Sequence, residues 1–418
     1  MYSPNETIQI ALIGAGGMGQ GDARLATSLP GVKLVAACDC YDGRLQRMKE
    51  VYGPDTFITR DYREIIRRRE VDAVIIATPD HWHAPISIDS LNADKHVYCE
   101  KPMVHSIDEG DALILAQTKA GNVFQVGSQY RSSATYLKAR DLYQQNAIGK
   151  LNSVEAWLDR NTAIGAWEYS IPTDASLDTC DWHQFLGNAP MREWDPARFF
   201  RWRNFRDYGT GVAGDLFVHL LTGLHTVTGS KGPTRIYATG GIRYWKDRDV
   251  PDVMLAVLDY PETQEHQAFN VLLRVNFKSG LPEESFGVKF IGSEGVMTTG
   301  YAGVTVERSP QPDQFDDTIG SFSQEVQKTL RADWDAKHTT MESRTFQESS
   351  ESYDTGGVEA QLEHHKNFYL SIRDGRPSVE DATFGLRAAG PALLTNESLF
   401  QQKIMHWDPE LMRLAPES

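Results

Sequence analysis

A short apolar run, residues 8–13, breaks into Gly14-Ala15-Gly16-Gly17-Met18-Gly19; the next apolar run, 33–38, stops at Asp39, 20 residues beyond Gly19. No other feature constrains the chain as much. A buried strand that turns through glycines into a helix, with a carboxylate closing the following strand, is the layout of a dinucleotide-binding βαβ unit. Each glycine has its own task. Gly14 permits the tight turn, Gly16 lets backbone approach a pyrophosphate, and Gly19 lets helix and strand pack closely. A helix opening around Gly17 and Met18 would offer free N–H groups and the positive end of its dipole to the phosphates. Asp39 can accept hydrogen bonds from both hydroxyls of an adenosine ribose, and its charge opposes a 2′-phosphate. Residues 40–43 carry no cation to offset that charge, so the pattern favours NAD over NADP, with Arg44 the counter-argument. The competing reading is a glycine-rich turn without a ligand.

The strand–helix rhythm continues through apolar runs at 73–77, 96–99 and 123–126, with helical patterns between them. Residues 1–128 therefore read as a Rossmann domain with a doubly wound parallel sheet. Beyond 128 the runs lengthen and gain β-branched and aromatic residues, at 151–159, 235–244, 253–259, 268–277, 285–291 and 304–308. Residues 129–418 read as an α+β domain, serving substrate binding and oligomerisation, with a large, mostly antiparallel open sheet covered by helices on one face. Its other face needs a partner or solvent, which points to a homodimer or homotetramer. Residues 309–357 form a polar excursion, either a surface segment or a lid or arm. Helical segments at 358–372 and 384–401 are expected to return to the first domain.

Three further groups fall where the sheet edge would place them. Thr78-Pro79-Asp80-His81-Trp82-His83 closes the fourth apolar run, and Trp82 offers a flat face to the cofactor; alternatively Trp82 and His83 merely cap a helix. Glu100-Lys101-Pro102 follows residues 96–99 and sets a lysine beside the expected nicotinamide; alternatively Lys101 and Glu100 pair on the surface. Asp215 and His219 are four apart on an otherwise apolar helical stretch, 215–228, so they share a face. Two polar groups there need partners or a ligand, and a hydrogen-bonded structural pair is the plain alternative. Aromatic residues Trp167, Trp182, Phe199, Phe200, Trp202, Phe205 and Tyr208 precede this stretch. Most read as core; Trp202 and Arg203 are the best candidates for the pocket, with Arg131, Arg160 and Asn161 as further hydroxyl contacts.

With these motifs in this order, the chain resembles the Gfo/Idh/MocA oxidoreductases, the family of glucose–fructose oxidoreductase and inositol dehydrogenase. The resemblance rests on Gly14–Gly19, Thr78-Pro79 with His83, Glu100-Lys101-Pro102, and Asp215-Leu216-Phe217-Val218-His219. It implies an active site between the two domains, a cis Lys101–Pro102 bond, bound NAD, and a carbohydrate substrate. It also implies roles: His219 as base, Lys101 as electrostatic partner at the reacting oxygen, and Asp215 as substrate orienter, with the first two exchangeable. The cofactor site would comprise Gly14, Gly16, Gly17, Met18, Gly19, Asp39, Thr78, Pro79, Trp82, His83, Glu100 and Lys101. The expected activity is hydride transfer between nicotinamide and a secondary hydroxyl of a sugar, glycoside or cyclic polyol. Alternatives are a redox-neutral glycosidase or lyase with tightly held NAD, and a non-catalytic NAD-binding regulator. The approach to Asp215, 208–214, departs from the family's glycine-rich pattern.

Composition narrows the partners. A net charge of -15 argues against nucleic acid, and the basic run at 67–69 reads as a solvated helix end. No apolar stretch reaches membrane-spanning length. The histidines show neither HExxH nor cysteine pairing, so no metal is expected. Four cysteines without a CxxC spacing suit a reducing compartment. With a first strand starting within ten residues of Met1, the expectation is cytoplasmic, although a trimmed secretion signal would leave the same sequence.

Overall fold

The computed structural model describes residues 7–281, 284–301, 303–308, 315–338, 349–356 and 359–416. The first part alternates β1 (Ile8–Ile13), α1 (Gly17–Ser28), β2 (Val32–Cys38), α2 (Asp42–Tyr52), β3 (Phe57–Thr59), α3 (Tyr62–Ile66), β4 (Ala73–Ile76), α4 (His83–Asn92), β5 (His96–Glu100), α5 (Gly110–Ala120) and β6 (Phe124–Gly127). All six strands are parallel, in the order β3-β2-β1-β4-β5-β6. β1 and β4 lie between helical layers on both faces, which is why Ile10, Leu12, Ala73 and Ile75 are completely buried. The chain order reverses between β1 and β4, so the strand ends there open a crevice. The edge strand β3 is only three residues long, too short for an apolar run to reveal it in the sequence.

The second part holds α6 (Ala134–Gln144), β7 (Leu151–Asp159), α7 (Trp182–Leu186), α8 (Pro196–Phe200) and α9 (Val218–Thr228). It continues with β8 (Arg235–Gly241), β9 (Val253–Tyr260), β10 (Phe269–Asn276), β11 (Ser285–Gly292), β12 (Val296–Gly300), β13 (Gly303–Arg308), α10 (Gln324–His338) and β14 (Ser349–Asp354). It ends with α11 (Ala360–Asp374), α12 (Ala382–Gln401), β15 (Met405–Asp408) and β16 (Arg413–Leu414). Ten strands form one sheet in the order β14-β13-β12-β11-β7-β10-β9-β8-β15-β16. Every neighbouring pair is antiparallel except β7 with β10. Alternation is strict along β10: Phe269, Val271, Leu273 and Val275 are buried, while the residues between them face outward. The buried face is covered by α6 and α12, with α9 packed against both and reaching Tyr260 of β9 through His225. On the open face, Tyr237, Leu255, Val257 and Leu272 stay exposed.

Two sequence expectations are corrected here. Within the polar excursion, residues 349–354 are the edge strand β14, paired along its length with β13; its Ser-Ser-Glu-Ser-Tyr-Asp sequence hides it, because an edge strand needs no apolar alternation. Residues 309–314 and 339–348 of that excursion, and Val358, lie outside the described residues. The polar-to-apolar switch at 215 is not the start of a regular α-helix: residues 213–217 form a π turn that runs into α9. Such π turns recur at functional sites. The last helices return to the nucleotide half, α11 against α1 and α12 against α5 and β6.

Candidate active site

One cavity of about 730 Å³ runs from the glycine turn to α9. Its first end is made of backbone. Gly14 has φ +91°, and a Cβ there would stand 2.5 Å from the carbonyl oxygen of Ala77. A Cβ on Gly19 would meet the carbonyl of Gly14 at 2.1 Å, so Gly14 and Gly19 hold turn, helix and strand together. Gly16 and Gly17 differ. A Cβ on Gly16 meets nothing closer than Arg44 at 3.8 Å, and one on Gly17 meets nothing within 4 Å. The space they leave is the cradle itself, at the N-terminus of α1, where no side chain caps the free N–H groups and the first turn carries no acid. Asp39 accepts from the N–H groups of Ala15 (2.8 Å) and Tyr41 (2.9 Å), which fixes its carboxylate beside the turn. Arg44 approaches that carboxylate to 3.6 Å and lies over Phe200. The residues present therefore fit an adenine dinucleotide: a backbone anion cradle with a carboxylate at ribose distance.

Residues from the other half close over this end. Asp181 donates its N–H to Cys40, and Thr179 accepts from the N–H of Asp42. Tyr41, Cys180, Trp182, Phe185, Phe199, Phe200 and Tyr208 bury one another there as a separate small core. Most of the aromatics singled out in the sequence serve this strap, which no local pattern could reveal because its partner is the Asp39 loop. All four cysteines are free.

At the other end three side chains converge. Lys101, from the end of β5, donates to Asp215 twice, to Oδ1 at 2.7 Å and to the main-chain carbonyl at 2.9 Å. The π turn presents carboxylate and carbonyl on the same side of the backbone. Arg203 adds its Nε to the same Oδ1 at 3.2 Å and is stacked over Trp202. Burial disfavours the Asp215 charge, but Lys101 and then Arg203 overcome it and hold the carboxyl far below the usual range. His219 lies one turn on, against the Tyr130 ring at 5.0 Å. Burial first, and then the Lys101 charge, push its imidazole well below the ordinary histidine value. The buried ring is therefore neutral. Its Nδ1 has no hydrogen-bond partner.

Among the remaining candidates, Met18, Thr78, Pro79, Trp82, Glu100 and Trp202 line the cavity. Trp82 is anchored by its N–H to Phe185 at 2.9 Å. Glu100 is buried with Oε1 unpartnered, and burial, then Asp22, raise its carboxyl well above the usual range. Three candidates are corrected. His83 does not face the cavity: it is buried, with one ring nitrogen at the Pro102 carbonyl (2.7 Å) and the other at the Thr78 carbonyl (3.0 Å), clamping the cis Lys101–Pro102 segment. Asn161 turns away to donate to the Leu281 carbonyl; its neighbour Arg160 takes the place at the cavity, paired with Glu284 at 2.8 Å. Arg131 points out of the cavity, held by the Val379 carbonyl. Sequence reasoning missed Tyr130, in a short 3₁₀ turn, and Tyr169, Glu284 and Tyr301, in loops or at strand ends, all without motif neighbours. Among the described residues no group of histidines, cysteines and carboxylates is arranged to hold a metal.

Residues 8–128 match the profile of an oxidoreductase family described as an NAD-binding Rossmann fold. An inositol 2-dehydrogenase of Salmonella paratyphi B is 31% identical over 146 residues, 34% of this chain and 44% of the relative. That of Rubrobacter xylanophilus is 32% identical over 202 residues, 48% of this chain and 54% of the relative. The matched part thus spans about half the length of these relatives. A levoglucosan dehydrogenase, solved in complex with NADH and levoglucosan, superposes over 96% of this chain and 99% of its own, with a TM-score of 0.69 at 16% identity. Residues 8–128 thus carry the NAD-binding Rossmann fold of the Gfo/Idh/MocA oxidoreductase family, and the chain shares its two-sheet fold with the levoglucosan dehydrogenase.

Proposed function

We propose that this protein is an NAD-dependent dehydrogenase acting on a secondary hydroxyl of a sugar, glycoside or cyclic polyol. One observation carries the reading: Lys101 from the parallel sheet and Asp215 with His219 from the other half share one cavity with the glycine cradle. Gly16 and Gly17 would hold the pyrophosphate, Asp39 the adenosine ribose, and Thr78, Pro79 and Trp82 the segment beyond. Bound NAD would supply the hydride acceptor; the protein supplies placement and proton handling. The Lys101 ammonium has three N–H donors. Two go to Asp215, which leaves one for the substrate oxygen. Paired with the Asp215 carboxylate at 2.7 Å, Lys101 orients and stabilises that oxygen. His219, which lines the cavity and is held neutral by burial and the Lys101 charge, is the group that accepts the hydroxyl proton. Trp202, Tyr130 and Tyr169 give flat faces for the C–H side of a ring.

The inositol 2-dehydrogenase relatives and the levoglucosan dehydrogenase fold support a cyclic polyhydroxyl substrate. The Asp39 carboxylate supports NAD over NADP, with Arg44 as its counterweight. The apolar open face of the ten-stranded sheet suits pairing with a second copy, which sedimentation would reveal. The test of function is absorbance at 340 nm with NAD and a panel of inositols, monosaccharides and glycosides. NADH formed in step with a keto product supports the proposal. Glycoside cleavage without NADH would shift it to a redox-neutral enzyme. Tight NADH binding with no turnover on the panel would favour a non-catalytic role, against which the intact Lys101–Asp215–His219 set argues.

A further inference from the structure

Arg131, expected at the substrate, opens onto a second cavity, of about 660 Å³, at the far end of α9. The two cavities share no lining residue. This one collects cations: Arg131, Arg140, Lys150 and Arg387, with His225 and His266, against Glu265 as the carboxylate among its lining residues. Asp141, 3.4 Å from Arg140, and Glu380 and Asp381, both within electrostatic reach of Arg131, are further acids close by. In a chain of net charge -15 such a cluster is not the background composition. Like charges gathered in a concave site repel one another, most strongly where water is partly excluded. Several of the polar atoms are also unspent. Among the described residues, Arg387 Nε, His225 Nδ1 and His266 Nε2 are buried without hydrogen-bond partners, and each such group carries a desolvation cost. Arg131 spends Nε on the Val379 carbonyl and Nη1 on a long 3.5 Å contact with Thr226. Burial, then Arg387, His266 and Arg131 in that order, push His225 down to about 3, so these groups sit within electrostatic reach of one another.

A multivalent oxyanion would offset the gathered positive charge, since charged acceptors make the strongest hydrogen bonds with guanidinium groups. We infer that this cavity is a phosphate site, taking either free phosphate or the phosphate of a small metabolite. Donors approach from the short 3₁₀ turn before α6, from α6, from the turn after it and from α12, which suits a tetrahedral anion with several acceptor oxygens better than a carboxylate with two. The cavity is of ligand-binding size, large enough that the phosphate need not come alone.

The test is calorimetric titration of the full chain, with NADH saturating the glycine cradle, in low-salt buffer free of phosphate. Inorganic phosphate and glucose 6-phosphate are the two probes. A single binding event with either probe is expected; tighter binding of the sugar phosphate marks a metabolite site, and equal or tighter binding of inorganic phosphate marks a free-anion site. Arg387→Gln should weaken it about tenfold by removing a charged donor. Arg140→Glu with Lys150→Glu, both on the exposed rim, should weaken it at least as much and guards against misfolding of the first variant. NADH affinity should be unchanged in both. No binding of either probe at millimolar concentration, or unchanged affinity in both variants, overturns the inference.

Discussion

The two ends of the main cavity are built from different materials. The nucleotide end is main chain: four glycines, the N-terminus of α1, and one carboxylate fixed by two N–H groups. The substrate end is side chains from separate segments, with Lys101, Tyr130, Arg160, Trp202, Arg203, Asp215, His219, Glu284 and Tyr301 brought together by the meeting of two sheets. A main-chain site must be written locally, because backbone geometry depends on adjacent residues. A side-chain site need only be assembled in space. The first end can thus persist while the second changes its substrate.

This division can be broken most sharply at Lys101 and His219. Lys101→Met and His219→Ala should each lower turnover by about 10²–10⁴, the usual worth of a positioned acid or base. NADH binding, followed by fluorescence, should stay within a few-fold, since neither residue belongs to the cradle. Loss of NADH binding in both would mean that the two ends are not separable. Asp39→Asn comes next. It keeps an acceptor for a backbone N–H while removing the charge that opposes a 2′-phosphate. The NAD-to-NADP ratio of kcat/KM should fall by about 10–100-fold, on the scale of one unfavourable charge contact. An unchanged ratio would hand cofactor choice to Arg44.

Within the nucleotide end, Gly14 and Gly16 sharpen the comparison further. Gly14→Ala puts a Cβ into the Ala77 carbonyl at a positive φ, which costs about 1–3 kcal/mol of backbone strain even before the clash. It should lower the melting temperature with or without NADH. Gly16→Ala meets no protein atom closer than 3.8 Å. It should leave the free protein's stability nearly unchanged and weaken NADH about tenfold, because the added methyl would occupy the pyrophosphate's place. If both variants merely unfold, the cradle is a structural turn and not a ligand site.

The same distinction explains what the sequence could disclose. Gly14–Gly19, Asp39 and the apolar runs of β1, β2, β4, β5 and β6 are legible because strand, turn and helix are contiguous. Lys101, Asp215 and His219 were reached through a motif, and spacing alone left Asp215 and His219 open as a structural pair. Arg131 and Asn161 were misplaced because an arginine or asparagine in a loop says nothing of its direction; Asn161 turned to the Leu281 carbonyl while Arg160 took the cavity. Tyr130 was overlooked beside Arg131, although its ring supports His219. β3 and β14 escaped because one is three residues long and the other is polar on an edge.

One last contrast sets His219, which lines the cavity with its Nδ1 unpartnered among the described residues, against His364, fully buried and fully engaged. His364 on α11 meets the Val126 carbonyl at 2.6 Å and Ser132 at 2.8 Å, tying the C-terminal helix to the parallel sheet. Burial lowers its pKa to about 3 from the ordinary 6.5. Between those values the folded protein keeps it neutral while the unfolded chain binds a proton, so the unfolded state holds more protons and stability falls as pH falls through that window. From pH 7.5 to 5.5 this single group should cost about 1.4 kcal/mol. Urea unfolding of the wild type and His364→Gln at both pH values isolates the effect. The lost hydrogen bonds affect the variant equally at each pH, so the gap between the two pH values should narrow by about 1.4 kcal/mol in His364→Gln. An unchanged gap would show that the acid sensitivity lies elsewhere, and that joining α11 to the sheet does not depend on a neutral imidazole.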